Sequence, residues 1–302
     1  MTGTTSGDDG LARQAAASAS RALAAAGIEV REVSSLPDLG RLRDVFDEIW
    51  RPLPTDPLVT LDQLVAWAHT GQYVVLADDL KEPHRPVVAA SVGFLAAPIG
   101  RTLHSHITGV LGQGRGRALG YAIKLHQRAW ALERGLDTIT WTYDPLIRRN
   151  AWFNLAKLGA LPTRYLVDFY GRIGDALNGS DESDRLYVSW RLGTPSVVTA
   201  CEGRSAALPV GTMLEAGVPR LLSVGPDEAP ELVDVRVPPG HELGLVQVPV
   251  DIEAIRAENQ VLAERWRRAL REVLTGALDA GDRIAGVGRD GWYVLRSRTP
   301  RA

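Results

Sequence analysis

Residues 101–143 set the tightest limit on the fold. The alternating run RTLHSHITGVL leads into a glycine-rich stretch, GQGRGRALG at 112–120. Helical periodicity follows to Arg134, Gly135 ends it, and DTITWTY at 137–143 reads as a strand. A strand, a glycine turn, a helix and a strand in that order require helices laid on a twisted sheet, an α/β or α+β architecture. The turn has its own chemistry. The first amides of a helix lack intrahelical acceptors, and the helix dipole is positive there. Glycines admit a ligand close to the backbone, and Arg115 and Arg117 add cationic donors suited to phosphate oxygens. The segment therefore predicts a phosphate or pyrophosphate site; an ordinary strand–helix turn is the alternative. It is not a Walker loop, because Ala118-Leu119-Gly120 stands where Gly-Lys-Ser/Thr would be. Nor is it a dinucleotide fingerprint, because three strands precede the one that leads into it and the following strand, TITWTY, carries no acidic residue.

The flanking sequence fills out the sheet. IEVREV at 28–33 reads as a strand, and Leu39, Leu42, Val45, Phe46 and Ile49 mark a helix over 36–49. RPLPTDP breaks the chain, and a second helix over 61–69 takes Thr60 as its cap. Tyr73–Ala77 and Pro86–Leu95 form a strand pair around DDLKEPHR. A helix over 150–158 stops at Gly159, and two strands follow near 161–168 and 186–192. Residues 1–10 read as disordered, and 11–26 as a helix with a weak apolar face or a packing arm. Past residue 192 the chain is rich in Gly and Pro up to about 242. LGLVQVPV then reads as a strand, 251–278 as one long helix capped by Asp251, and 284–287 with 292–295 as a closing strand pair. This places an N-terminal tail and arm at 1–27, one domain at 28–192 and a smaller α+β domain at 193–302.

Charge excludes several functions. Lys+Arg total 34 against 36 Asp+Glu in 302 residues, so no global field favours nucleic acid or an anionic membrane. Lysine occurs only at 81, 124 and 157, and no function is read from that. No apolar run is long enough to span a bilayer. The acidic start and the single cysteine, Cys201, suit a cytoplasmic protein without disulfides or a cysteine-cluster metal site.

The segment HSHITGVLGQGRGRALGYAIKLHQRAWALERGLDTITWTYDPL resembles the acyl-CoA-binding core of the GNAT acyltransferase superfamily, over about residues 28–192. Gln113 through Ala118 fits that family's Arg/Gln-x-x-Gly-x-Gly/Ala turn; Arg115 through Gly120 is a second register. More narrowly, HSH at 104–106, ITWTYDPL at 139–146, RNAWFNLAKLGA at 149–160 and FYG…LNG…SDRL across 169–186 resemble a bacterial subgroup of predicted GNAT acetyltransferases. The resemblance implies a mixed, mostly antiparallel twisted sheet flanked by helices. It implies acetyl-CoA or another acyl-CoA as substrate and no metal. Val110, Leu111 and Gly112 would face the pantetheine. Gln113, Gly114, Arg115, Gly116, Arg117, Ala118, Leu119 and Gly120 would face the pyrophosphate. The strand pair 102–111 and 137–143 would form the thioester slot. The family often places an asparagine early in the next helix; that position falls near Arg148, with Asn150 and Asn154 as substitutes here. Its usual acid, a tyrosine four residues before a glycine, falls on Leu155, which has no proton to give.

The remaining acid–base candidates are few. His104 and His106 share one strand face, so either is a base beside the slot or both are histidines satisfied within the sheet. No third ligand at zinc spacing accompanies them. Asp144 stands at a strand end, where substrate groups gather or where a turn before Pro145 needs a cap. Tyr143 and Tyr170 are acids or packing residues. Trp50, Trp67, Trp141 and Trp152 are pocket walls or core. The pattern from 243 to 297 echoes the first domain without its glycine turn, which suggests a degenerate GNAT-like half closing the acceptor pocket or a homodimer interface. The expected activity is acyl transfer from CoA to a small-molecule acceptor, an amine or similar nucleophile. A non-catalytic acyl-CoA-binding module and an acyl-CoA hydrolase or decarboxylase are the alternatives.

Overall fold

The computed structural model describes residues 5–114, 116–171, 182–204 and 208–298. In chain order it begins with helix α1 (Thr5–Ala26), strand β1 (Ile28–Glu32), helices α2 (Leu36–Trp50) and α3 (Leu61–His69), and strands β2 (Tyr73–Asp79), β3 (Val87–Ala96) and β4 (Thr102–Val110). Helix α4 (Leu119–Glu133), strand β5 (Thr138–Tyr143), helix α5 (Arg148–Ala151), a π-helical stretch (Trp152–Lys157), and strands β6 (Leu161–Leu166) and β7 (Arg185–Arg191) follow. The rest is α6 (Pro195–Cys201), α7 (Val210–Glu215), β8 (Arg220–Val224), β9 (Pro230–Leu232), β10 (Leu243–Gln247), α8 (Ile252–Glu258), α9 (Gln260–Asp279), β11 (Arg283–Val287) and β12 (Trp292–Arg296). Two compact units interleave along this order: Met1–Trp141 with Arg191–Glu202, and Thr142–Trp190 with Gly203–Ala302.

In the first unit the strands lie in the order β1-β2-β3-β4-β5. The first three pairings are antiparallel and β4–β5 is parallel. A parallel neighbour needs a crossover, and α4 supplies it. Helices cover both faces of this sheet. On one, Leu39, Leu42, Val45 and Phe46 of α2 and Leu64 of α3 pack on Val74, Leu76, Ala90 and Val92. On the other, Leu119, Ala122 and Ile123 of α4 and Ala26 of α1 pack on Ile28, Ala77, Val88 and Ala89. Each fully buried leucine here contributes about 1.5–3 kcal/mol. Caps start the helices where the sequence supplies them. Ser35 accepts from Asp38 N, and Thr60 forms a reciprocal capping box with Gln63.

The amino-terminal reading needs correction. Residues 1–4 lie outside the described residues, but helix, not disorder, runs from Thr5. Ala15, Ser18, Ala19 and Ala26 are all at most 4 % exposed. Their small side chains let α1 lie close along α4, and that packing holds a helix whose own apolar face is weak.

In the second unit β6 and β7 pair antiparallel, and five strands form a sheet in the order β11-β12-β10-β8-β9. Trp266, Leu270, Val273 and Leu274 of α9 are fully buried. The long helix expected over 251–278 is two helices. Asp251 caps α8 as expected, but Asn259 leaves helical geometry (φ −146, ψ 85) and its side chain accepts from Leu262 N to start α9. An asparagine that hydrogen-bonds nearby backbone favours such a break. The echo of the first unit lies in element order, not in strand adjacency. The connection β4–α4–β5 sets its two strands side by side and parallel, whereas β10 is flanked by β12, antiparallel, and β8, parallel.

Candidate functional site

Two features of β4 shape the candidate site. Its parallel pairing with β5 covers only Thr102↔Thr138, Leu103↔Ile139 and His104↔Thr140, so β5 gives Ser105–Val110 no partner. Against β3, Val92 faces Ile107 and Gly93 faces Ser105, which leaves His106 as an extra residue, a β-bulge. Gly93 is required opposite it, because a Cβ there would lie 2.9 Å from His104 O. The bulge leaves His106 without a paired residue on β3, close to the point where β4 and β5 part.

His104 and His106 share the α2/α3 face, with ring centroids 6.4 Å apart. Phe94 lies 5.3 Å and 5.6 Å from the two rings, and Trp67 stands edge-on to His106 at 6.0 Å. His104 Nδ1 is 3.1 Å from Thr140 Oγ1. Burial pushes the His104 pKa down to about 4, and charge on His106 and Lys124 adds to this. Burial lowers His106 as well. Both rings are therefore neutral near pH 7, and a neutral imidazole accepts a proton.

This has a consequence for stability. Between about pH 4 and 6.5 the unfolded chain binds a proton at residue 104 that the folded chain does not. His104 thus lowers stability as pH falls through that window, by roughly 2–4 kcal/mol at its acid end. Urea titrations at pH 7 and pH 5 should show this loss. His104→Gln should flatten it, and an unchanged pH slope in that variant would remove His104 as the cause.

The glycine turn follows β4. Leu111 N donates to Val88 O at 2.9 Å, Gly112–Gly114 makes one 3-10 turn, and Gly116 and Ala118 have φ of +82 and +58. Those are the two small-residue positions of the register that starts at Gln113. A Cβ at Gly116 meets nothing within 4 Å, so the space above it is open. α4 starts at Leu119 with no side-chain cap, and Ala122 N is the first amide to reach back to Ala118 O. The helix entrance thus carries donors without side-chain partners.

The loop arginines stand differently from the sequence expectation. Arg115 lies outside the described residues. Arg117 is engaged within the protein: its guanidinium pairs with Asp79, at 2.8 Å from Nη2 to Oδ1, and donates to Ala26 O at 2.9 Å. The strong charge at the turn drew Arg117 into the reading, but its side chain ties α4 to β2 and the end of α1. Its two Nη groups are committed to these partners.

Asp144 and Tyr143 are corrected too. Asp144 is 4 % exposed and is held by Arg267 through two 2.9 Å bonds and by Arg256 at 2.6 Å. Burial by itself would lift its carboxyl, but the charges and hydrogen bonds of Arg267 and then Arg256 outweigh it and hold Asp144 well below the usual carboxylate range. It is a fixed anion and not a proton shuttle. Its Oδ1 also accepts from Leu146 N, the turn cap that Pro145 suggested. Tyr143 is buried, 3.4 Å from the Tyr293 hydroxyl, which donates to Pro145 O. Burial raises its pKa further, so it is a packed hydroxyl without a ready proton.

Asn150 sits in the short α5, and Asn154 is buried in the π-helical stretch, where Leu155 is 7 % exposed. The expected helix over 150–158 is therefore α5 followed by a wider π turn. Val110 pairs with Ala89 at the end of β4. The LNG stretch at 177–179 lies outside the described residues. Among the described residues no group of three or more His, Cys, Asp or Glu could hold a metal ion.

Sequence reasoning missed a second cluster, on the α4 face of the same strands. Lys124 is 5 % exposed, and its Nζ lies 2.7 Å from Ser105 Oγ, 3.0 Å from Gln127 Oε1 and 4.0 Å from the centroid of the Trp141 ring. It makes no ion pair among the described residues, and burial pushes its pKa down to about 7. The available signals were the rarity of lysine and the Lys124/Gln127 spacing of three along one helix.

No family model and no curated protein matches the chain. Several solved structures are similar to part of it. A candidate acetyltransferase of the GNAT family from Desulfovibrio desulfuricans is 16% identical, with 55% of this chain and 99% of that one covered at a TM-score of 0.43. The ribosomal-protein-S5-alanine acetyltransferase of Vibrio fischeri is 14% identical, covering 55% and 94%, with a TM-score of 0.43. A candidate acetyltransferase from Salmonella typhimurium, solved with its cofactor acetyl-CoA, is 14% identical, covering 55% and 95%, with a TM-score of 0.43.

Proposed function

We propose that the chain transfers an acyl group from an acyl-CoA, with acetyl-CoA as the first donor to test, to a small amine or similar nucleophile. The observation that carries this reading is the entrance to α4. A strand that has lost its partner runs into a turn with two positive-φ positions and then into helix amides with no side-chain cap. Amides in that array hold pyrophosphate oxygens, and the open space over Gly116 admits them. The bulge at His106 interrupts the ladder near the point where a thioester carbonyl would lie, and a backbone N–H freed there would stabilise a developing oxyanion. An ammonium acceptor must lose a proton before it attacks, and neutral His106, walled by Phe94 and Trp67, would take it. The buried thiol of Cys201, pushed up to about 11 by burial, stays protonated, which argues against a thiolate nucleophile.

Calorimetry with acetyl-CoA and CoA, followed by thiol release with and without an amine panel, tests the reading. Binding of both ligands and amine-dependent thiol release are expected. His106→Ala should cut turnover on the order of 10²–10⁴-fold with CoA affinity retained. Unchanged turnover would take His106 out of the mechanism, and absence of binding to either ligand would end the acyl-CoA reading.

A further inference from the structure

The cluster on the α4 face occupies a particular place. Ser105 is the first residue of β4 beyond its last pairing with β5, and Trp141 is the residue of β5 that follows the paired Thr140. Lys124 reaches one side chain from each strand, so its amine lies at the apex where the strands part. A buried ammonium with a hydroxyl, an amide oxygen and an indole face, and no carboxylate, is a costly arrangement for a core to keep. A second observation points to a ligand. Gln127 is fully buried, its Oε1 accepts from Lys124, and its Nε2 has no hydrogen-bond partner among the described residues. The bond from Lys124 fixes which end of the amide is oxygen, so the idle group is a donor with nothing to donate to.

We propose that Ser105 and Lys124 form a nucleophile–base pair, in which the Ser105 hydroxyl takes the acyl group and the Lys124 amine takes and returns the proton. This rests on the acyl-CoA reading above for the identity of the donor. In the first step Ser105 Oγ attacks the thioester carbonyl carbon, the Oγ–C bond forms, and the hydroxyl proton passes to the neutral Lys124 amine. The intermediate then collapses: the C–S bond breaks, and the Lys124 ammonium returns the proton to the leaving thiolate. The products are an acyl ester on Ser105, a free thiol and a neutral amine. A neutral acceptor amine, or water, then attacks the ester and restores the hydroxyl. The return of the proton by Lys124 does the work of the acid that Leu155 cannot do.

A serine is weak until a neighbouring base takes its proton, and a desolvated lysine is one such base. At 2.7 Å the pair is within transfer distance. The lowered Lys124 pKa, about 7, leaves much of the amine free at neutral pH. The groups facing it are Ser105 of β4, Gln127 of its own helix and the Trp141 ring of β5; His104 on β4, neutral above about pH 4, is the titratable group whose charge it influences.

The test mixes the full chain with acetyl-CoA or with p-nitrophenyl acetate, quenches in acid, and reads intact mass and the labelled peptide. Calorimetry with CoA runs alongside. The expected result is a burst of one thiol or one nitrophenol per chain, with a single acetyl group on Ser105. Ser105→Ala should lose the adduct while keeping CoA affinity, and Ser105→Cys should regain an acyl adduct at the same position. Lys124→Met should slow acylation on the order of 10²–10⁴-fold and abolish the rise in acylation rate through about pH 7. CoA binding without a Ser105 adduct from either donor overturns the pair and leaves the acyl-CoA reading intact. So does acetylation found on Lys124 instead. A Ser105 adduct from p-nitrophenyl acetate with no CoA binding retains the pair and overturns the acyl-CoA donor. Neither binding nor adduct overturns both.

Discussion

Gly116→Glu should remove acetyl-CoA binding almost entirely, with a loss on the order of 10²–10⁴-fold in affinity. Three effects add. At φ +82 any side chain is strained, which costs about 1–3 kcal/mol and is relieved by moving the turn. A displaced turn misaims its amides, and each lost charge-assisted hydrogen bond to a phosphate is worth about 1.5–3 kcal/mol. The new carboxylate would also enter the open space over Gly116, at the positive end of α4, and would compete there with the anionic ligand. Gly116→Ala separates these effects. It keeps the strain and omits the charge, so it should weaken binding by a smaller factor, while neither variant should greatly shift the urea midpoint of a turn that touches little. Calorimetry of the three proteins at equal ionic strength decides the matter. Wild-type affinity in Gly116→Glu would mean that the pyrophosphate lies elsewhere.

The elements that position this turn were legible because each has a local cause. Gly27, Gly135 and Gly159 take positive φ where β1, β5 and β6 are about to begin, and Thr60 caps α3 with Gln63 as a sequence pattern predicts. Strand and helix periods in 28–143 agree with the sheet they enter. What stayed hidden depends on partners far along the chain. Arg117 reads as a phosphate ligand until Asp79 is folded next to it. Asp144 reads as a catalytic carboxylate until Arg256 and Arg267, more than a hundred residues away, surround it. Lys124 carries no function in the sequence beyond being one of three lysines. α1 packs along α4, and Lys124 turns its amine to Ser105 and Trp141, a placement that no periodicity within α4 could show. The bulge at His106 is a one-residue mismatch between β3 and β4, and only the pairing register reveals it. The backbone conformation of the turn was thus legible locally, whereas the partners of its side chains were not.

Asp144→Ala should be among the most destabilising single changes in the chain, at about 3–5 kcal/mol. The carboxylate is 4 % exposed, and the side chains of Arg267 and Arg256 are 2 % and 6 % exposed. Removing that carboxylate takes a buried charge partner from both guanidiniums, and neither can shed its charge near neutral pH. Asp144→Asn keeps the shape and hydrogen-bond acceptors on one side but not the charge, so it should fall between wild type and alanine. The cost falls on buried charge, and that makes a sharper test available. Removing all three charges together, as Asp144→Leu with Arg256→Met and Arg267→Met, should recover most of the stability, since well-packed apolar residues replace buried ion clusters at little cost. The pH dependence separates this cluster from His104. Asp144 has its carboxyl held below the ordinary value near 3.9, so its contribution is complete above about pH 4 and is lost only as pH falls further. The His104 effect acts between about pH 4 and 6.5. Urea denaturation followed by tryptophan fluorescence at pH 7 should therefore show the full cost of Asp144→Ala. If instead the triple variant were as unstable as the single one, the cluster would be stabilising as a whole, and the penalty would lie in lost packing and not in stranded charge.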